Sequence, residues 1–233
     1  MYTVAGQGGV GGYGDGFALT ATFSLPAAVC MVHYDRDGGD VEGRYFIIVA
    51  DRTNHCIRCV DVSGAMVSTI AGGRRSGYRD DDALTSFFDF PTAVCIDPSN
   101  GSIIVSDGWN NRIRCIERDM MKNESDDASL LPFHSDVCRV RTLAGTGATG
   151  HVDGDALSST FNYPTGICCM IHPIDHSIHS LFDGTASLSS SSSIHSLPYA
   201  IIISDSFNHS IRCLEYQNMS DEERHEVEGI YTI

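Results

Sequence analysis

Four kinds of residue in this chain have the spacing to do chemistry. Gly6-x-Gly8-x-x-Gly11 and Gly145-x-Gly147-x-x-Gly150 both read G-x-G-x-x-G after a short apolar run. That pattern cradles a dinucleotide pyrophosphate where a strand turns into a helix. Here both copies run on into D-G-x-A and then F-x-x-P, and Gly72-Gly73 holds the same place without the pattern. No helix opens at the third glycine, so the glycines read as turns between elements. His172, His176, His179 and His195 are metal-ligand types, but they lie in or beside a Ser-rich stretch, 173–198, in which SIHSL occurs twice. Such duplication around a serine run reads as an insertion loop. Cys56-x-x-Cys59 has no second pair nearby, which makes it a poor zinc signal. The sequence therefore assigns no catalytic residue, no metal ligands and no cofactor.

The remaining candidates are carboxylates spaced from asparagines and arginines: Asp51, Asn54 and Arg58; Asp107, Asn110 and Arg114; Asp205, Asn208 and Arg212. Their recurrence exposes the organisation of the whole chain. TVAG, GYGDGFALTATFSLP, AAVC and IIVADRTNHCIRC follow in order over residues 3–59. Residues 69–115 and 142–213 repeat that order, and a further copy begins at Thr232. Each copy is then one supersecondary unit stacked on its neighbours. The spacing places the Asp at the end of one strand and the Asn in a short hairpin loop. The Arg lies diagonally across on the next strand, close enough for a long side chain to reach the Asp. That is a structural pair rather than a catalytic one.

Each copy contains four short apolar runs, such as Ile103-Ile104-Val105, that are continuous rather than alternating. Continuous runs suit strands covered on both faces. Strands are expected at 27–33, 44–50, 56–62 and 66–71, at 92–97, 102–106, 112–118 and 138–144, and at 165–171, 199–204, 210–216 and 229–233. Cys30, Cys95 and Cys168 share one repeat position, and Cys59, Cys115 and Cys213 share another. Inside apolar strands they are expected as buried, reduced thiols. Nine cysteines without an N-terminal basic and apolar leader favour a reducing intracellular compartment.

The Asp-x-x-Asn-x-x-x-Arg signature, preceded by Phe23-x-x-Pro26, Phe88-x-x-Pro91 and Phe161-x-x-Pro164, resembles NHL repeats. The resemblance covers nearly all of the chain. It implies an all-β fold: a β-propeller with about three four-stranded blades, either a partial ring or part of a larger propeller. The blades would span about 27–73, 92–146 and 165–233, with residues 2–5 as the fourth strand of a preceding blade. Asp81 stands where the other copies have Gly16 and Gly154, and Asp tolerates the left-handed turn expected there. The resemblance also brings two activities found in such propellers. One is an enzyme of the peptide-amidating-lyase type with a metal in the central channel. The other is RNA binding through a basic face.

Charge separates these readings. The net charge of −15 disfavours a phosphate backbone as partner. Residues 35–43, 119–137, 173–198 and 217–228 carry −3, −4, −2 and −4, so one face holds nearly all of it. The opposite face offers Trp109, Phe207, Arg74, Arg75 and Arg79, the residue types that anchor protein interfaces. The expected function is a non-catalytic protein-interaction scaffold or structural subunit. Its partners would be other proteins or further blades of a longer chain, with no nucleic acid and no membrane span.

Overall fold

A computed structural model of the chain describes residues 1–34, 43–118, 135, 138–171, 199–216 and 227–232. Three antiparallel sheets follow one another, one from each copy of the repeat. The first consists of β1 (Gly16–Phe17), β2 (Pro26–Tyr34), β3 (Arg44–Asp51), β4 (Cys56–Asp61) and β5 (Met66–Ala71), in the spatial order β1-β5-β4-β3-β2. The second repeats it with β6 (Asp81–Asp82), β7 (Pro91–Ile96), β8 (Ile103–Asp107), β9 (Arg112–Arg118) and β10 (Cys138–Ala144), ordered β6-β10-β9-β8-β7. The third is β11 (Pro164–Ile171), β12 (Tyr199–Asp205), β13 (Ser210–Tyr216) and β14 (Val227–Thr232), with the bridge Gly154–Ile230 in the place of β1 and β6. These are three four-stranded blades of a β-propeller. The strands lie where the apolar runs and their turn residues put them, with ends shifted by two residues or less. No helix among the described residues is long and apolar enough to cross a membrane.

The continuous apolar runs are explained by the stacking. Ile103 and Val105 of β8 face the first sheet and pack with Phe46, Ile48 and Ile57. Ile104, between them in sequence, faces the third sheet and packs with Ile201, Ile203 and Leu214. A strand sandwiched in this way has no polar side. Burying each such isoleucine contributes about 1.5–3 kcal/mol. The innermost strand β7 lies between β2 and β11.

Three expectations are corrected. Residues 2–5 form no strand, although Gly6 N–H donates to Ala18 O just as Gly72 and Gly145 donate to Ala83 and Ala156. The phase is right, but no neighbouring strand among the described residues offers a ladder to pair with. Cys59, Cys95, Cys115 and Cys213 are buried, but Cys30 is only half-buried and Cys168 is exposed. Cys168 shares the face of Ile202, with which it pairs, and that face looks away from the second sheet. Cys56 and Cys138 are buried as well, and all nine cysteines are unbridged. Burial pushes the Cys59, Cys115 and Cys213 thiols up to about 12. Finally, Gly16 and Gly154 adopt φ of +124° and +130°, whereas Asp81 does not take a positive φ. It keeps the same pairing, to Val140 as Gly16 pairs with Val67, and it forms an ion pair with Arg79. A side chain at that position makes the extended backbone the cheaper way to hold the ladder. The insertion 173–198, His172, His176, His179, His195 and the four acidic stretches lie outside the described residues, apart from their edges.

The joints between blades come tightest against neighbouring backbone at two glycines. Gly72 and Gly145 have φ of +102° and +95°, and a Cβ on them would sit 2.6 Å from His55 O and 2.5 Å from Asn111 O. Gly145→Ala should therefore lower stability by about 1–3 kcal/mol, read as a fall in the urea midpoint. Gly6→Ala shares the positive φ but meets only the Phe23 ring at 3.3 Å. Its loss should be visibly smaller, and equal losses would mean that the carbonyl clash is irrelevant.

Candidate interaction surface

Each blade is fastened by the same buried cluster. Arg58, Arg114 and Arg212 are fully buried, as are Asp51, Asp107 and Asp205. Nη1 of each arginine donates to Oδ2 of its aspartate at 2.8, 2.7 and 2.9 Å. The same oxygen accepts from Asn54, Asn110 or Asn208, whose amide also donates to Gly12, Gly77 or Gly150 O in the connecting segment. The other Oδ caps the amide of Ser24, Asp89 or Asn162 in the F-x-x-P stretch. Nη2 of the arginines reaches Asp15, Asp80 and Asp153 at 2.7, 2.6 and 2.7 Å. Each guanidinium lies over the Phe of F-x-x-P, at 4.9 Å from Phe23, 5.0 Å from Phe88 and 5.1 Å from Phe161. Tyr13 and Tyr78 cover the other side of Arg58 and Arg114 and hydrogen-bond Thr69 and Thr142. In the third blade His151 bonds Thr232 instead. Arg212 Nε has no partner among the described residues, so the third cluster is one bond short. Burial pushes the Asp107 carboxyl up to about 6 against the pull of Arg114 and Asn110, which leaves it ionised at neutral pH.

These clusters hold the hairpin tips rigid. The tips are 3-10 turns at Arg52–Asn54, Gly108–Asn110 and Ser206–Asn208, each ended by a left-handed residue: His55, Asn111 or His209. The middle residue of each turn donates its N–H into the F-x-x-P stretch: Thr53 to Ser24 O, Trp109 to Asp89 O and Phe207 to Asn162 O. The residue before each proline is also left-handed, with φ of +48° at Leu25, +52° at Phe90 and +56° at Tyr163. Such a backbone costs about 1–3 kcal/mol at a non-glycine residue. In the second and third blades the preceding blade supports it: Phe90 N–H donates to His55 Nδ1 at 3.3 Å and Tyr163 N–H to Asn111 Oδ1 at 2.8 Å.

The result is a continuous row of rings across all three blades. His55 meets Phe90 with centroids 4.9 Å apart, Phe90 meets Trp109 at 5.7 Å, Trp109 meets Tyr163 at 6.1 Å and Tyr163 meets Phe207 at 5.0 Å. Phe90 and Tyr163 form a half-buried floor, while Trp109 and Phe207 are each 63% exposed. Gly108 lets Tyr163 come this close, since a Cβ there would sit 3.1 Å from the Tyr163 ring.

One copy of the repeated cluster is matched by a known family. The family model of the NHL repeat matches residues 88–116, the heart of the second blade. NHL repeat-containing protein 2 of Gallus gallus is 26% identical over 130 residues, 52% of this chain and 16% of its own length. Residues 88–116 of this chain carry an NHL repeat. The match thus takes in about a sixth of that curated relative. Among solved structures, an auxiliary nutrient binding protein from Bacteroides thetaiotaomicron is 28% identical, covering 46% of this chain and 26% of its own with a TM-score of 0.40. A protein of unknown function from the same organism is 15% identical, covering 81% of this chain and 46% of its own with a TM-score of 0.48.

On this scaffold the structure brings Trp109 and Phe207 into one row. It engages the three arginines elsewhere: Arg74 lies 3.7 Å over the Tyr13 ring, Arg75 lies 5.3 Å over Phe87, and Arg79 pairs with Asp81. Phe90, Tyr163 and His55 were not singled out by the sequence. For Phe90 and Tyr163 the signal lies in the residue before each repeated proline, which is large and apolar in every copy: Leu25, Phe90, Tyr163.

Proposed function

We propose that this NHL-repeat chain is a non-catalytic protein-interaction scaffold, and that a protein partner docks on the aromatic row. The observation that carries the reading is the placement of Trp109 and Phe207, well exposed on the rigid tips of the second and third blades and joined through Tyr163. Large aromatics held in place lose little entropy on binding and dominate interface energetics. The chain also offers apolar sheet surface at both ends of the stack. Val29, Met31 and Tyr45 are exposed on the outer face of the first sheet, and Ile211 on that of the third. The same faces of the second sheet are covered by its neighbours, so further blades of a longer chain or another subunit are the natural cover.

The test uses the immobilised chain as bait, with retained proteins identified by mass spectrometry. Trp109→Ala with Phe207→Ala should lower stability by about 1 kcal/mol or somewhat more through lost ring contacts. Retention of a direct partner should fall by at least about tenfold, as loss of interface anchors worth about 2 kcal/mol requires. Equal retention by a folded double variant would show that the row is not the docking surface.

A further inference from the structure

The innermost strands carry a second repeated feature that the scaffold does not need. Cys30, Cys95 and Cys168 occupy one register position, opposite Ile48, Ile104 and Ile202 respectively. Cys30 and Cys95 point at the next sheet, and what each meets there differs. Cys30 packs in the core that contains Ile96 of β7. Cys95 meets Cys169 of β11, with the two Sγ atoms 3.4 Å apart. Ile96 and Cys169 are the same repeat position, so one joint pairs a thiol with an isoleucine and the other pairs two thiols. Residues 95 and 169 are 74 apart in sequence, and they join the first strands of two different blades.

We propose that Cys95 and Cys169 are a redox-active pair that forms a reversible disulfide, clamping the second blade to the third when a hydroperoxide is present. Cys169 is half-buried and Cys95 is 8% exposed, so the peroxide reaches Cys169 first. Its sulfur attacks the O–O bond, which breaks to give a sulfenic acid on Cys169 and an alcohol, or water from hydrogen peroxide. The Cys95 sulfur then attacks the Cys169 sulfur. The S–O bond breaks as the S–S bond forms, and the hydroxide leaves with the Cys95 proton as water. The thiol pair gives up two electrons and the peroxide takes them. The sulfurs need to close from 3.4 Å to about 2.05 Å, a small movement for two facing side chains. The hydrogen bond to Cys169, and then burial, push the Cys95 thiol far up, so Cys95 rests protonated and gives up its proton only as it attacks the sulfenic acid. Two molecules of a small thiol such as glutathione reverse the bond, releasing both protein thiols and one small-molecule disulfide.

The test treats the full chain, freed of reductant, with a small excess of hydrogen peroxide, followed by alkylation, intact mass and peptide mapping. The expected product has lost about 2 Da by forming one disulfide, carries a linkage between the peptides of residues 95 and 169, and returns to the starting mass with glutathione. Cys168 adjoins Cys169, so variants assign the sulfur. The linkage should persist in Cys168→Ser and Cys30→Ser and be lost in Cys169→Ser. The oxidised wild type should melt about 10 °C higher than the reduced one, because the bridge closes a long loop. A gain of about 32 Da on Cys169 with Cys95 still alkylated would overturn the proposal. So would a linkage that survives Cys169→Ser but not Cys168→Ser. The wild-type mapping gives its answer even if a variant fails to fold.

Discussion

Arg114→Ala is expected to destabilise the chain by about 3–5 kcal/mol, the loss typical of removing one partner from a buried ion pair. Arg114 is fully buried and has no water to replace it. Its Nε and Nη2 donate to Asp80 Oδ1, its Nη1 to Phe87 O and Asp107 Oδ2, and its Nη2 also to Arg79 O. Alanine takes a donor from two carbonyls, of which Arg79 O keeps the Phe87 N–H, and leaves a buried carboxylate without its cation. Arg114→Lys should recover only part of the loss, because an ammonium is a point charge and cannot span the fork of acceptors. Asp80→Asn should cost much less, since the Asp80 side chain is 36% exposed and water can take over. Urea unfolding of the four proteins reads the order directly, and a loss below about 1 kcal/mol in Arg114→Ala would refute the account.

The same variant carries a pH signature. Burial already pushes Asp107 up to about 6 while Arg114 opposes it. Without Arg114 the folded-state value rises further above the unfolded value of about 3.9. A carboxyl raised on folding binds its proton more tightly in the folded state. Stability of Arg114→Ala should therefore increase as the pH falls from 7 towards 5, where the folded protein takes up a proton that the unfolded chain does not. A variant whose stability dropped over that range would contradict the burial of an unpaired Asp107.

Phe88→Ala should cost about 3–5 kcal/mol, as truncation of a fully enclosed phenylalanine does. Phe88 is completely buried in the core between the first two sheets, against the Arg114 guanidinium. Phe161 holds the matching place between the second and third sheets, and its truncation should cost a similar amount. Phe23 has the same sequence context but is half-buried on the outer side of the first sheet, packed with Ala18, Ala21 and Val67. Phe23→Ala should lose only about half as much, since less surface returns to water. If Phe23→Ala proved as damaging as Phe88→Ala in denaturant titrations, the outer face of the first sheet would be covered in solution.

Much of this molecule was legible in its sequence because its determinants are local and repeated. Apolar runs bounded by turn residues place the strands of all three blades. The eight-residue span from Asp107 to Arg114 puts acid and base on neighbouring strands of one hairpin, opposite enough to pair. No distant contact is needed for either inference. What only the tertiary structure decided depends on which sheet faces which. Cys95 and Cys168 are the same repeat position, yet one is buried against Cys169 and the other is exposed, because burial belongs to the neighbouring sheet rather than to the strand. The aromatic row is of the same kind. Phe90, Trp109, Tyr163 and Phe207 come from four separate loops, and their rings meet only once the blades are stacked, where Phe90 N–H donates to His55 and Tyr163 N–H to Asn111 of the preceding blade.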